Sequence, residues 1–357
     1  MLTINTYSEA ETAERIQTLR HQLGKDLAIV GHHYQHDDVI DFTDLRGDSL
    51  ELARKVAAID AANIVFCGVF FMAESAALLA RNGQRVFLPD HAANCVMAQM
   101  APADRLDAVM QRLNSNGRRI VPLAYVNTSL AIKAVVGHHG GAVCTSANAK
   151  TMLTWAMEQG DGVLFLPDKN LAQNTAKTLG ISPDDQHIIN IRQTGDNQGM
   201  PSIAQAANSG ARLFMWPGCC AIHAKFNTRQ IAAMREQYAG CHVIVHPECS
   251  PEVVNAADAA GSTSFIIAYA KKMPQGATLV IGTEINLVKR LAKEYAGRLN
   301  IIPLHNAACS HMAKITAPKL LHTLEAIANG TALDVSAPAH MIDDARASLV
   351  RMLDACS

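Results

Sequence analysis

Nine short apolar runs, each closed by polar or turn-forming residues, punctuate the chain. They are "LAIVGHHY" (27–34), "NIVFCGVFF" (63–71), "RVFLPD" (85–90), "RIVPLAYVN" (119–127), "GVLFLPD" (162–168), "RLFMWPG" (212–218), "CHVIVHPE" (241–248), "TLVIGTE" (278–284) and "LNIIPLHN" (299–306). Continuous rather than alternating apolar runs of this length predict strands buried on both faces. Alanine-rich stretches of helical spacing lie between them, such as "SLELARKVAAIDA" and "SPEVVNAADAA". Strand and helix in alternation predict an α/β chain with parallel sheets.

The pattern also recurs three times. One unit runs from "GHHY" through "DLRGDS" and "FCGVFFMAES" to "LPDHAANC". A second runs from "AYVNTS" through "CTSANA" and "LFLPDK" to "WPGCC", and a third from "VHPECS" through "AGSTS" and "VIGTE" to "LHNAAC". His32 to Cys95 and His246 to Cys309 both span 63 residues, whereas Tyr125 to Cys220 spans 95 because of a loop-like stretch around "QTGDNQGMPSIAQAANSG". The expected architecture is three Rossmann-like α/β/α units with short parallel sheets, related by a pseudo-threefold axis around a central site. Their bounds are 1–107, with an N-terminal helix, 108–230 and 231–337; a closing amphipathic helix, 338–357, is expected to pack back on the first unit.

Composition narrows the function classes. The 357 residues are 49% hydrophobic and 18% charged, enough for a large core and more than one domain. Lys and Arg (31) balance Asp and Glu (32), so no general field draws nucleic acid or anionic lipid, and an anionic ligand needs local holders. The start "MLTINTYSEAETAERIQ" lacks a signal-peptide pattern and no apolar run reaches the roughly 18 residues of a spanning helix, so a cytoplasmic protein is expected. Nine cysteines at irregular spacing then point to reduced thiols rather than a disulfide framework.

Cys219 and Cys220 are adjacent, which makes a poor disulfide. Each unit nevertheless places a cysteine just past its last strand, where parallel sheets bind ligands, so Cys95, Cys220 and Cys309 become a candidate set. Cys67 and Cys241, within or at the start of apolar strands, read as packing residues. Three thiolates without a close CxxC pair suit an iron–sulfur cluster better than zinc. A cubane so held keeps one iron open for Lewis-acid chemistry.

The segments "GHHYQ", "GDSLELA", "FCGVFFMAESA", "AYVNTSLAIKA", "CTSANA", "LFLPDKNLA", "WPGCCAIHAKF", "VIVHPECSPEVVNAAD", "GSTSFII", "GTEINLV" and "CSHMAKI", in this order, resemble the quinolinate synthase family from about residue 26 to 325. The resemblance implies three α/β domains around a 4Fe-4S cluster with three cysteine ligands. It implies condensation of iminoaspartate with dihydroxyacetone phosphate to quinolinate, phosphate and water, as a step of NAD biosynthesis. Iminoaspartate would come from an L-aspartate oxidase or dehydrogenase, with no nucleic acid or membrane partner. By motif the ligands are Cys95, Cys220 and Cys309; the pattern G-x-C-x-x-H selects Cys220 and leaves Cys219 as a neighbour. A CxxCxxC run seen around the third ligand in some members is absent here.

His32, Tyr34, Tyr125, Asn127, His246 and Glu248 fall at the ends of first strands, the expected rim of the site. Ser49, Ser146, Ser262 and Thr263 precede helix-like segments and are candidate anion holders, although a serine there is commonly only a helix cap. Glu248 is the expected general base, its pKa raised by an apolar cavity. Tyr34 and Tyr125 are candidate proton relays, His32 and His246 would bind anions when charged or shuttle protons, and Asn127 would bond a carboxylate or hydroxyl. His33, His36, His138 and His139 read as loop residues, Met72 as cavity lining, and Cys356 as a surface thiol. Two other readings stand beside this one: a different 4Fe-4S hydro-lyase, and a non-catalytic cluster or ligand-binding repeat protein.

Overall fold

In the computed structural model, which describes residues 7–191 and 200–356, each of the nine apolar runs contains a strand, among thirteen strands in all of the described residues. The first four are β1 (Leu27–His32), β2 (Leu45–Gly47), β3 (Asn63–Cys67) and β4 (Arg85–Phe87), which form a parallel sheet in the order β2-β1-β3-β4. Next come β5 (Ile120–Tyr125), β6 (Ala142–Cys144), β7 (Gly162–Leu166), β8 (Gln186–Ile188) and β9 (Leu213–Met215), in the order β6-β5-β7-β9-β8. The last four, β10 (His242–Val245), β11 (Ala259–Ala260), β12 (Thr278–Gly282) and β13 (Asn300–Pro303), repeat the first order as β11-β10-β12-β13. Thus one four-strand parallel pattern occurs three times, with β8 added at one edge. The sheets account for the continuous hydrophobicity: every residue of β1, β5 and β7 is buried. Each buried Val, Leu or Ile side chain there contributes about 1.5–3 kcal/mol.

Details repeat as well as order. Asp44 accepts the backbone N–H of Ile29 at 2.7 Å and gives its own N–H to the Ile29 carbonyl at 2.8 Å. Asp258 does both with Val243, at 2.7 and 2.8 Å. Each aspartate also pairs with an arginine, Arg20 in the first case and Arg235 in the second. The exposed ion pairs add little, but the two backbone bonds extend a short strand edge that would otherwise lose them.

By internal packing the chain divides into two compact units, 1–94 with 309–337, and 95–308 with 338–357. The first holds β1 to β4; the second holds the other two sheets. Three expectations are corrected. The closing helix, Ala339–Ala355, lies on the helix Leu130–His138 and on β6, in the second unit rather than against the first. The reason is steric: a Cβ on Gly137 would sit 1.8 Å from the carbonyl oxygen of Asp344, so only glycine admits this approach. Arg351 then binds the carbonyls of Gly137 and Gly141 at 3.1 and 2.7 Å. Of the loop-like stretch 193–210, Met200–Asn208 is a helix, and residues 192–199 lie outside the described residues. Cys356 is half-buried rather than a free-standing surface thiol: its Sγ accepts from Asn148 Nδ2 at 3.3 Å and touches Met152 Sδ at 3.6 Å.

Candidate active site

The three cysteines singled out by spacing sit in one recurring local structure. Three ten-residue helices, Phe70–Leu79, Lys169–Thr178 and Ile285–Glu294, follow β3, β7 and β12. The first N–H of each has no partner inside its helix. Phe70 gives it to Ala93, Lys169 to Gly218 and Ile285 to Ala307, at 2.8, 3.0 and 3.0 Å. Each acceptor stands two residues before a candidate cysteine, Cys95, Cys220 or Cys309. A single 3-10 turn follows each cysteine, at Met97–Gln99, His223–Lys225 and Met312–Lys314. Cys219 falls outside this register. Cys309 belongs to the first unit, and Cys95 and Cys220 to the second, where burial, Glu248 and Cys95 all push the Cys220 thiol up. A thiol so placed becomes a thiolate only beside a cation, which fits a metal-ligand role.

In the second unit the ends of β5 and β10 bring Tyr125, His246 and Glu248 together, all buried. Glu248 Oε2 lies 2.7 Å from His223 Nδ1, and Tyr125 donates to the same carboxylate. His223 Nε2 reaches Thr283 Oγ1 at 3.2 Å, and its ring stacks on His246 at 4.4 Å with 14° between planes. Burial raises the Glu248 pKa, but His223, His246 and the hydrogen bonds outweigh it and bring it down to about 2. The expectation of a raised value is therefore overturned: burial is the largest single influence, but the imidazole of His223 and the hydrogen bonds it and Tyr125 make together exceed it. His246 is driven to about 3 by burial first and then by His223, against the pull of Glu248. It is neutral, so the expectation that it binds anions as a cation is corrected too. The N–H of Glu248 donates to His246 Nδ1 at 3.4 Å, which leaves Nε2 carrying the hydrogen.

The first unit repeats that last device. Tyr34 N–H donates to His32 Nδ1 at 3.1 Å, with the two rings edge to face at 4.6 Å, so His32 also presents an Nε2–H. Among the anion-holder candidates, Ser49 opens the helix Ser49–Ala57, but Asp48 is its cap, accepting from Leu50 and Glu51. Ser262 itself caps the helix Thr263–Lys272, its Oγ taking the N–H of Phe265 at 3.3 Å, and Thr263 begins that helix. Ser146 lies half-buried three residues before the helix Ala149–Glu158 and is not its cap. Asn127 carries a buried Oδ1 with no hydrogen-bond partner among the described residues, an atom prepared for a donor the chain does not supply. Cys67 and Cys241 are buried packing residues, with burial holding the Cys67 thiol up at about 12. His138 ends a helix rather than lying in a loop, and His139 meets Asp107 at 2.8 Å.

Two residues of this cluster escaped the sequence reading. His223 was visible only as the last letter of G-x-C-x-x-H. Yet its ring, Cys220 Sγ and a Glu248 oxygen lie within 4.8 Å of one another, a group able to hold a metal ion. Asp168 closes the repeated "LPD" string; wholly buried, it caps the Lys169–Thr178 helix through Leu171 N–H (2.9 Å) and takes the N–H of Cys220 (3.1 Å). Burial, and then the charge of Glu248, hold its carboxyl well above the usual range.

Comparison with known proteins adds a second line. Residues 14–354 match the family described as quinolinate synthetase A protein. A quinolinate synthase of Streptomyces coelicolor is 43% identical over 91% of this chain and 83% of its own length. One from Geobacillus kaustophilus is 41% identical over 98% of this chain and 94% of its own, and one from Bacillus pumilus 43% over 90% and 86%.

Proposed function

The chain belongs to the quinolinate synthetase A protein family and is an enzyme with quinolinate synthase activity, and from that premise we propose that it condenses iminoaspartate with dihydroxyacetone phosphate. Quinolinate, inorganic phosphate and two waters leave, which balances all atoms and requires no external oxidant. The reaction serves NAD biosynthesis in the cytoplasm, fed by an L-aspartate oxidase or dehydrogenase. Among the described residues no helix is long and apolar enough to cross a membrane.

The observation that carries this reading is the threefold clamp that ties the loops before Cys95, Cys220 and Cys309 to a helix N-terminus. It supports three equivalent α/β units, 1–107, 108–230 and 231–337, each supplying one cysteine, Cys95, Cys220 or Cys309, to the proposed 4Fe-4S cluster. When bound, that cluster supplies Lewis acidity to the group lost in the final dehydration. The remaining chemistry belongs to side chains. Glu248, ionised at neutral pH, takes a proton from substrate carbon while His223 holds its other oxygen. Tyr125, already bonded to Glu248, returns that proton toward a leaving oxygen, and Tyr34, beside His32, is the second proposed relay. His32 and His246 donate as neutral Nε2–H groups to substrate carboxylate or phosphate. Asn127 Oδ1 accepts from the imine nitrogen or a hydroxyl, and Ser49, Ser146, Ser262 and Thr263 hold the anionic groups.

Anaerobic purification with iron and sulfide analysis and a quinolinate assay tests the reading. About four irons per chain, lost together with turnover in Cys95→Ala, Cys220→Ala and Cys309→Ala and kept in Cys219→Ala, is the expected result. A protein that stays iron-free after reconstitution yet turns over would remove the cluster from the reaction. Phosphate release in step with quinolinate separates this condensation from a simple hydro-lyase.

A further inference from the structure

Asparagine is a poor helix former, yet the Lys169–Thr178 helix buries two on one face, four residues apart, one in its first turn and one in its middle. Asn170 Nδ2 donates to the carbonyl of Glu248 at 3.1 Å. Asn174 Nδ2 donates to the carbonyls of Pro247 and Cys249, at 2.8 and 2.9 Å. Three successive carbonyls are thus gripped by two side chains, with Glu248 in the middle. The turn's own bonds, Cys249 N–H to the His246 carbonyl at 3.0 Å and Glu248 N–H to His246 Nδ1 at 3.4 Å, fix its curvature but not its place. The same helix begins at Asp168, which takes the N–H of Cys220 at 3.1 Å, while Lys169 N–H holds Gly218. Two turns of one helix therefore grip both the Cys220 loop and the Glu248 turn.

We propose that Asn170 and Asn174 are positioning residues that hold the Glu248 carboxylate in register with the Cys220 loop. The proposal rests on Glu248 as the base. A helix that served only as packing would place an apolar residue at these two sites, as it does at Leu171 and Ala172. Losing the amides would leave buried carbonyls unpaired and free the turn to shift.

The test compares Asn174→Leu with Thr175→Val, which deletes a buried hydroxyl on the same helix that donates to the Leu171 carbonyl within that helix. On anaerobically reconstituted protein, Asn174→Leu is expected to lower kcat about 10- to 100-fold with the KM values, iron content and cluster spectrum kept. Thr175→Val is expected to leave all of them within about twofold, the size of an ordinary peripheral change. Hydrogen exchange at the Glu248 and Cys249 amides should quicken about tenfold or more in Asn174→Leu alone. Equal losses in both variants, or unchanged exchange in Asn174→Leu, would overturn the proposal. If Asn174→Leu does not fold, Asn170→Ala, which removes one bond, carries the same comparison. Absence of quinolinate formation by the unsubstituted protein would instead remove the functional reading, and the exchange data would still decide whether the grip exists.

Discussion

Glu248, the proposed base, is a buried carboxylate whose pKa is held below the usual carboxylate range by a histidine at 2.7 Å and a tyrosine hydroxyl. In that role a base of such low pKa would remove protons from carbon only with His223 and Tyr125 following the charge, the three acting as a unit. Replacing it by Gln keeps the shape and removes the base; kcat should fall by about 10²–10⁴-fold, with iron content unchanged. Full turnover in an iron-replete Glu248→Gln protein would falsify its role. His246 affords a prediction in stability. Its folded pKa of about 3 lies below its ordinary 6.5, so as pH falls the unfolded chain takes a proton that the native chain refuses. The stability it protects is complete above about pH 6.5 and lost progressively toward pH 3. Glu248 adds to this only below its ordinary 4.5, whereas Asp168, with its carboxyl held up, acts in the opposite sense. The contrast with His246→Asn isolates the histidine. From about pH 6.5 to about pH 5 the variant should lose about 1–2 kcal/mol less than the unsubstituted protein, read from urea unfolding. Residue types at the strand ends were legible in the sequence, but charge states were not. The pKa of Glu248 depends on His223, which stands 25 residues away in the chain, and no local pattern records that approach.

At the scale of elements, every interior strand announced itself, and among the described residues four of the six edge strands did not. β2, β6, β8 and β11 have three residues or fewer, too few for a hydrophobic period to show; β4 and β9 are as short, but buried Leu88 and Trp216 lengthen their apolar runs. Helix starts were marked by residues that take the orphan N–H groups, and Asp48 is the plainest case. Asp48→Ala should cost about 1 kcal/mol in urea unfolding, with the Glu51 half of the capping box lost as well. The packing of the closing helix was misjudged because amphipathicity tells which face is buried and is silent on the partner. Gly137 decides the partner, since its missing Cβ admits the backbone of Asp344. Gly137→Ala should destabilise by about 1–3 kcal/mol and expose the 339–355 helix to limited proteolysis ahead of the rest of the chain. Unchanged resistance would show that the helix docks by other contacts.

Over the whole molecule, a net charge of −1 leaves no field to steer substrates that are themselves anions. The quinolinate kcat/KM should accordingly change by less than about twofold when salt rises from about 50 to about 200 mM; a steep fall would reveal a local basic funnel. The sequence by itself determined the class of fold, the triple recurrence and the three cysteines in register. Buried parallel strands must be continuously apolar, and a repeated fold repeats its ligand positions in the chain. It also held the family motifs, because they are local strings. Tertiary structure decided what those strings do to one another: that the pKa values of Glu248 and His246 are both held down, that His223 meets Glu248 and Asp168 meets Cys220, and that the last helix packs on Gly137. Each of these depends on distances between residues remote in sequence, and electrostatic and steric energies follow distance in space.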